Sequence, residues 1–320
     1  MPFTSIFLAA ALAFAPASLP DDPVEAAGPQ GPLKGSLVMP AKPKAVVVIV
    51  PGSGPTDRDG NNPLGVAAAP YRLLAQGLAA QQVASVRIDK RGMFASRRAI
   101  PDANAVTIAD YAADVAGWAK VARARTGLSC AWILGHSEGG LVALAAAQRP
   151  QGLCGIVLVS SLGRPLGVVL REQLRANPAN APVLDQAETA LQALERGERV
   201  DAAPLHPGLR PLFAPQVQGY LIDLLHYDPA RLAAGVRVPM LIVQGDRDIQ
   251  IALADAKALA AADPRARLVV IPGANHVLKT VATEDRAANA ATYSDPSLPL
   301  APGIVEAIAA FVTRPPRPAP

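Results

Sequence analysis

Ser137 stands in Ile133-Leu134-Gly135-His136-Ser137-Glu138-Gly139-Gly140-Leu141, a Gly-x-Ser-x-Gly pattern between an apolar burst and an Ala/Leu-rich helical run that ends near Pro150. On a tight strand-to-helix turn the serine is lifted out of the sheet. The flanking glycines remove side chains that would clash there, and the next backbone N–H faces a reacting carbonyl. This is the chemistry of a nucleophile attacking an acyl carbon. A hydroxyl needs a base to take its proton and a carboxylate to orient that base, in the chain order Ser, Asp/Glu, His. Of the four histidines, His136 adjoins the serine and cannot fold back on it, while His206 and His226 fall in a stretch outside the strand–helix rhythm. His276, in Ile271-Pro272-Gly273-Ala274-Asn275-His276-Val277, follows the last apolar burst, at the carboxyl end of a strand where open α/β sheets form their sites. It is the expected base.

The acid has two candidates in Val243-Gln244-Gly245-Asp246-Arg247-Asp248. Asp248 has the preferred Gly-x-x-Asp spacing; Asp246 suits loop amides or a pair with Arg247. An oxyanion hole takes one donor from the residue after the nucleophile and one from the loop after the first long strand. That loop is Pro51-Gly52-Ser53-Gly54-Pro55-Thr56-Asp57-Arg58-Asp59-Gly60, and the expected donors are the N–H groups of Ser53 and Glu138. Gly52-x-Gly54 is not a dinucleotide fingerprint, because Pro55 follows where a helix would have to begin. A phosphate-binding P-loop, Cys-x-x-Cys and paired histidines at ligand spacing are all missing, so neither cofactor nor metal is expected.

Such residues need a sheet to hold them. Ala45–Val50 is a β-branched run without polar alternation, the pattern of a strand buried on both faces of a parallel sheet. Bursts at 84–88, 131–134, 155–159, 240–243 and 268–271 repeat it, with helical patterns between them. One helix opens on the capping box of Thr107 and Asp110 and stops at Gly127. The alternation predicts an α/β fold with a mostly parallel central sheet flanked by helices. Residues 162–236 break the rhythm with a Pro-interrupted helical pattern, expected as an inserted helical cap. Tyr220, Leu221, Leu224, Leu225 and Tyr227 within it are either an apolar lining for an acyl or aryl group or ordinary core.

The 320 residues are 51% hydrophobic, 18% charged and 4% aromatic, which excludes a disordered chain and a coiled coil. Thirty Lys and Arg against 26 Asp and Glu give a net charge of +4, and the basic residues are scattered, so no nucleic-acid partner is expected. Residues 1–17 carry no charge and end Ala15-Pro16-Ala17, a pattern expected for a secretory signal, although Met-Pro-Phe-Thr-Ser lacks a basic residue. A periplasmic or secreted location follows as an expectation. No later apolar run reaches membrane-spanning length, so stable membrane insertion is not expected. Residues 314–320 are Pro-rich and expected as an extended tail.

Gly-Ser-Gly-Pro-Thr-Asp-Arg-Asp-Gly-Asn-Asn (52–62), Asp-Lys-Arg-Gly (89–92), Gly-His-Ser-Glu-Gly-Gly (135–140), Gly-Asp-Arg-Asp (245–248) and Asn-His-Val-Leu-Lys (275–279) together resemble the α/β-hydrolase superfamily. Within it the chain is similar to bacterial esterases grouped with serine-aminopeptidase-like hydrolases, over roughly residues 34 to 313. The resemblance implies an α/β-hydrolase core at 34–161 and 237–313, a helical cap at 162–236 and no cofactor. It also implies hydrolysis of a small-molecule carboxylic ester, of short to medium acyl chain, through an acyl-enzyme. By matching position, Ser137 is the nucleophile, His276 the base and Asp248 the acid. Two departures stand out: Pro51 where many relatives have His, and Met93-Phe94 interrupting the commoner Arg-Gly-x-Gly-x-Ser.

An aminopeptidase or a thioesterase uses the same triad, and an aminopeptidase adds an acidic anchor for the substrate's amine, for which Glu138, Asp57 and Asp59 are candidates. A non-catalytic binding module on this fold typically lacks a triad member, whereas all three candidates are present here. Cys130 and Cys154 open neighbouring strands at the same sheet edge; a disulfide and a pair of buried thiols both fit that placement.

Overall fold

The structure, a computed structural model, describes residues 19–314. The expected secretory signal and all but the first residue of the Pro-rich tail lie outside the described residues. Eight strands form one sheet: β1 (Asp22–Ala26), β2 (Leu33–Val38), β3 (Ala45–Val50), β4 (Val83–Ile88), β5 (Ala131–His136), β6 (Leu153–Val159), β7 (Met240–Gly245) and β8 (Arg267–Ile271). Their spatial order is β1-β2-β4-β3-β5-β6-β7-β8, with every pair from β4 to β8 parallel. All six bursts read from the sequence are strands of this parallel part. β1 and β2 add an antiparallel hairpin at the β4 edge, so the sheet begins at Asp22, ahead of the residue 34 at which the resemblance starts.

The central strands are buried along their whole length because helices cover both faces. On one face lie α2 (Ile108–Thr126), α3 (Glu138–Ala146) and α8 (Leu253–Ala262). On the other lie α1 (Pro70–Ala80) and α9 (Ile304–Val312). Helix α2 starts at the capping box of Thr107 with Asp110 and ends on Gly127 in the left-handed conformation, as its sequence predicts. Each branched side chain removed from water in these layers contributes about 1.5–3 kcal/mol, which is what holds the strand ends in fixed positions.

Between β6 and β7 the chain makes α4 (Leu166–Arg175), α5 (Leu184–Glu195), α6 (Pro215–Leu225) and α7 (Pro229–Gly235). This insertion has its own apolar cluster around Leu191, Leu194 and Phe213. It is tied to the sheet's carboxyl edge at three points. The Asp223 carboxylate accepts from the Ile108 N–H at 2.7 Å, Gln173 Nε2 donates to the Gln250 carbonyl at 2.7 Å, and Arg164 pairs with Asp255 at 2.7 Å. Cys130 and Cys154, left open as a pair, form a disulfide with Cα atoms 5.2 Å apart, joining the segment that enters β5 to the start of β6.

Candidate active site

Ser137 follows β5 directly and precedes the first residue of α3, with φ 55° and ψ −122°. A non-glycine residue there is strained, and the surroundings must hold it. They do so through the Ser137 N–H, which donates to Val159 at 3.0 Å, and through the Ser137 carbonyl, which accepts from Gly140 at 3.0 Å. Gly139 has to be a glycine, since a Cβ there would run into the carbonyls of Val50 and Pro51 at the end of β3. At Gly52 a Cβ would lie 3.2 Å from the Ser137 Cβ, so the loop after β3 passes directly beside the nucleophile candidate.

His276 and Asp248 arrive on the loops after β8 and β7, adjacent strands whose register pairs Gly245 with Ile271. His276 Nδ1 lies 2.9 Å from Asp248 Oδ2. An ionised carboxylate only accepts, so the proton of a neutral ring sits on Nδ1 and Nε2 is left bare. Asp248 also accepts from the N–H groups of Gln250 and Ile251, and Gln244 Nε2 stands 3.3 Å from its Oδ2. Burial acts to raise the Asp248 pKa, yet the neighbouring His276 and the two backbone donors together leave it below the ordinary carboxylate value. Asp246 does something else. Its Oδ1 accepts from the Gly273 N–H at 2.7 Å, and Arg247 pairs with Glu284 at 2.5 Å. Among the described residues no hydrogen bond joins the Ser137 hydroxyl to His276; hydrogen bonds of this type often tighten only with substrate bound.

His136 connects the two loops that flank the serine. Its Nε2–H donates to the His276 carbonyl at 2.8 Å, and its bare Nδ1 lies 2.8 Å from the Tyr71 hydroxyl, which donates to it. The Tyr71 oxygen in turn accepts from the Gly52 N–H at 3.1 Å. Burial, reinforced by His276, lowers the His136 pKa to about 3, so the ring stays neutral and this direction of donation is kept.

Of the two residues expected as oxyanion donors, Ser53 follows Gly52 in the loop after β3, and Glu138 is the first residue of α3, where helix geometry leaves the N–H without an intrahelical acceptor. The Glu138 side chain turns inward and pairs with Lys90 at 3.3 Å, both residues being buried. That loop is further held by Arg58 on Asp89, by an ion pair of Asp59 with Arg87, and by Asp57 accepting from the Asp59 and Asn61 N–H groups.

Of the five residues considered as a lining, Leu221 and Leu225 belong to the insertion's own core and Leu224 to the main one, so packing accounts for all three. Tyr220 packs edge-on to Tyr111 at 5.9 Å between ring centres, with its hydroxyl buried close to the Glu138 carboxylate. His206 and His226 lie in the insertion, on exposed positions. Sequence reasoning passed over Tyr71, Lys90 and Gln244. Only Lys90 carried a signal, its place in Asp89-Lys90-Arg91-Gly92 at the carboxyl end of a strand. Among the described residues no cluster of three or more His, Cys, Asp or Glu is placed to hold a metal, and no helix is long and apolar enough to cross a membrane.

The profile of the serine aminopeptidase S33 family matches residues 41–280. The chain is 29% identical over 225 residues to Esterase EstD of Thermotoga maritima, across 68% of this chain and 50% of that protein. It therefore spans about half the length of the curated relative it matches. Among solved structures, the esterase domain of a Rhodothermus marinus protein superposes with a TM-score of 0.54 at 15% identity, covering 92% of this chain and 98% of that one. Est1E of Butyrivibrio proteoclasticus gives 0.54 at 16% identity, covering 90% and 96%. At these identities the likeness is one of fold, and the fold is that of the α/β hydrolases.

Proposed function

We propose, from the premise that this chain belongs to the serine aminopeptidase S33 family of α/β hydrolases, that it hydrolyses carboxylic esters of short to medium acyl chain through an acyl-enzyme on Ser137. The observation that carries the reading is the buried Asp248–His276 pair on the loops after adjacent strands, beside a serine held at a strained φ of 55°. His276 Nε2 takes the Ser137 proton as the oxygen attacks the acyl carbon, and the Ser53 and Glu138 N–H groups receive the oxyanion. His276 then protonates the leaving alcohol and activates water for deacylation. The esterase relative over two thirds of this chain supports the same reading.

An ester rather than an amino-terminal peptide is favoured by what the acidic groups are doing. Glu138 is engaged by Lys90 and Asp59 by Arg87, so two of the three candidate anchors for a substrate ammonium already hold a cation, while Asp57 accepts two backbone N–H groups on Oδ1. A substrate ammonium at Glu138 or Asp59 would have to compete with that cation.

The test is turnover of p-nitrophenyl esters from acetate to dodecanoate, with matched thioesters and amino-acid anilides, by the protein and by Ser137→Ala. Ester turnover abolished by the substitution and falling along the series supports the reading. Anilide turnover alone would replace it with an aminopeptidase, and thioester turnover alone with a thioesterase. We further propose an exported location, supported by the Cys130–Cys154 disulfide, since such bonds persist in oxidising compartments. Retention of the protein in the cytoplasmic fraction of expressing cells would oppose it.

A further inference from the structure

Lys90 lies two residues past β4 at the carboxyl edge of the sheet, is only 3% exposed, and has no part in the proton transfers described above. Its ammonium donates to the Gly52 carbonyl at 2.7 Å and stands 3.3 Å from Glu138 Oε1, with the Tyr111 ring centre 5.4 Å away. Both partners bear on the oxyanion hole. The Gly52 carbonyl belongs to the same peptide unit as the Ser53 N–H, and Glu138 carries the second donor on its own backbone.

We propose that Lys90 is a positioning residue for the oxyanion hole: one buried ammonium holds the Gly52–Ser53 peptide and Glu138 in the orientation that aims both N–H groups at the same point. This rests on the ester-hydrolase reading of the site. Gly52 is held on both sides, its N–H, in the peptide before it, by Tyr71 and its carbonyl, in the Gly52–Ser53 peptide, by Lys90. Rotation about that peptide, which would swing the Ser53 N–H away, breaks the Lys90 contact. A hydrogen bond on a carbonyl oxygen also polarises the amide, making the N–H on the other side of the same peptide a stronger donor. The loop on this side is rich in small residues and, apart from Gly52, Thr56 and Gly60, its residues from Ser53 onward are at least partly exposed; packing alone does not fix its peptide planes.

The role makes a kinetic distinction. An oxyanion contact strengthens only as negative charge develops, so its loss lowers kcat with little change in KM. Lys90→Met leaves the buried Glu138 carboxylate without its cation and is at risk of misfolding. The informative variant is therefore Lys90→Met with Glu138→Gln, which removes both charges together, beside Glu138→Gln alone. The expected result for the double variant is a fall in kcat of about 10- to 100-fold with KM within a factor of about three. This is a fraction of the 10²–10³ typical of deleting an oxyanion donor outright. Phosphonylation of Ser137 by a fluorophosphonate should slow in parallel, and Glu138→Gln, which keeps the Lys90 contact to Gly52, should lose less than the double variant.

A folded double variant with unchanged kcat overturns the proposal while leaving ester hydrolysis in place, as does a loss carried by KM alone. If wild-type protein turns over no ester yet its phosphonylation is slowed in the double variant, the positioning role stands and the ester reading falls. A folded wild-type protein that does not react with the fluorophosphonate overturns both.

Discussion

The His136 ring donates from Nε2 to the backbone carbonyl of His276 at 2.8 Å, so the residue that precedes the nucleophile candidate holds the loop of the candidate base. Through Tyr71 the same ring reaches the Gly52 N–H of the oxyanion loop. The strut ties together the three loops that must keep a common geometry, those after β3, β5 and β8.

His136 should make the protein acid-labile. Its folded pKa is lowered to about 3 from 6.5, so between those values the unfolded chain binds a proton that the native state refuses. Stability should fall as pH drops through that window, by about 1.4 kcal/mol per pH unit from this one group. Urea denaturation at pH 7, 6, 5 and 4 measures the slope. His136→Asn removes the titration and should flatten it, and an unchanged slope in the variant would count against the assignment.

Asp248→Asn and Asp246→Ala should separate cleanly. An amide at 248 presents a donor to His276 and favours the wrong tautomer, an error that elsewhere lowers kcat about 10⁴-fold. Loss of Asp246 removes an acceptor for the Gly273 N–H and should cost about 1 kcal/mol of stability with kcat changed less than about fivefold. Steady-state kinetics on both variants, with thermal melts, decide which aspartate is the acid.

The Cys130–Cys154 bond closes a loop with a sequence separation of 24 that contains β5, Ser137 and α3. On the chain-entropy account its removal should destabilise the protein by about 3.5 kcal/mol. Urea midpoints with and without reductant, and for the paired Cys→Ser variant, test this; identical midpoints would show that the bond contributes nothing.

The parallel strands were legible because burial on both faces leaves uninterrupted β-branched runs, as in Ala45–Val50. Helix α2 was legible because Thr107 and Gly127 mark its ends with side-chain and backbone chemistry that acts locally. β1 was not: in Asp22-Pro23-Val24-Glu25-Ala26 only Val24 and Ala26 are buried, and two buried positions in an edge strand hardly rise above a loop. Ser137, Asp248 and His276 could be read as candidates because each lies just past a recognisable strand. The contacts of Tyr71 and Lys90 could not, since their partners are 65 and 48 residues away along the chain and meet only when the sheet stacks β4, β3 and β5 side by side. Leu221 and Leu225 have the spacing of a pocket wall as well as that of a core; packing within the insertion decides for core.

The most direct test of the central claim is to trap the acyl-enzyme. Protein mixed with excess p-nitrophenyl acetate, quenched in acid within the first turnover and digested, should carry one acetyl group per chain, on Ser137, and His276→Ala should prevent its accumulation. Acetyl found on another residue, or ester turnover with Ser137 unmodified and Ser137→Ala fully active, would contradict the account.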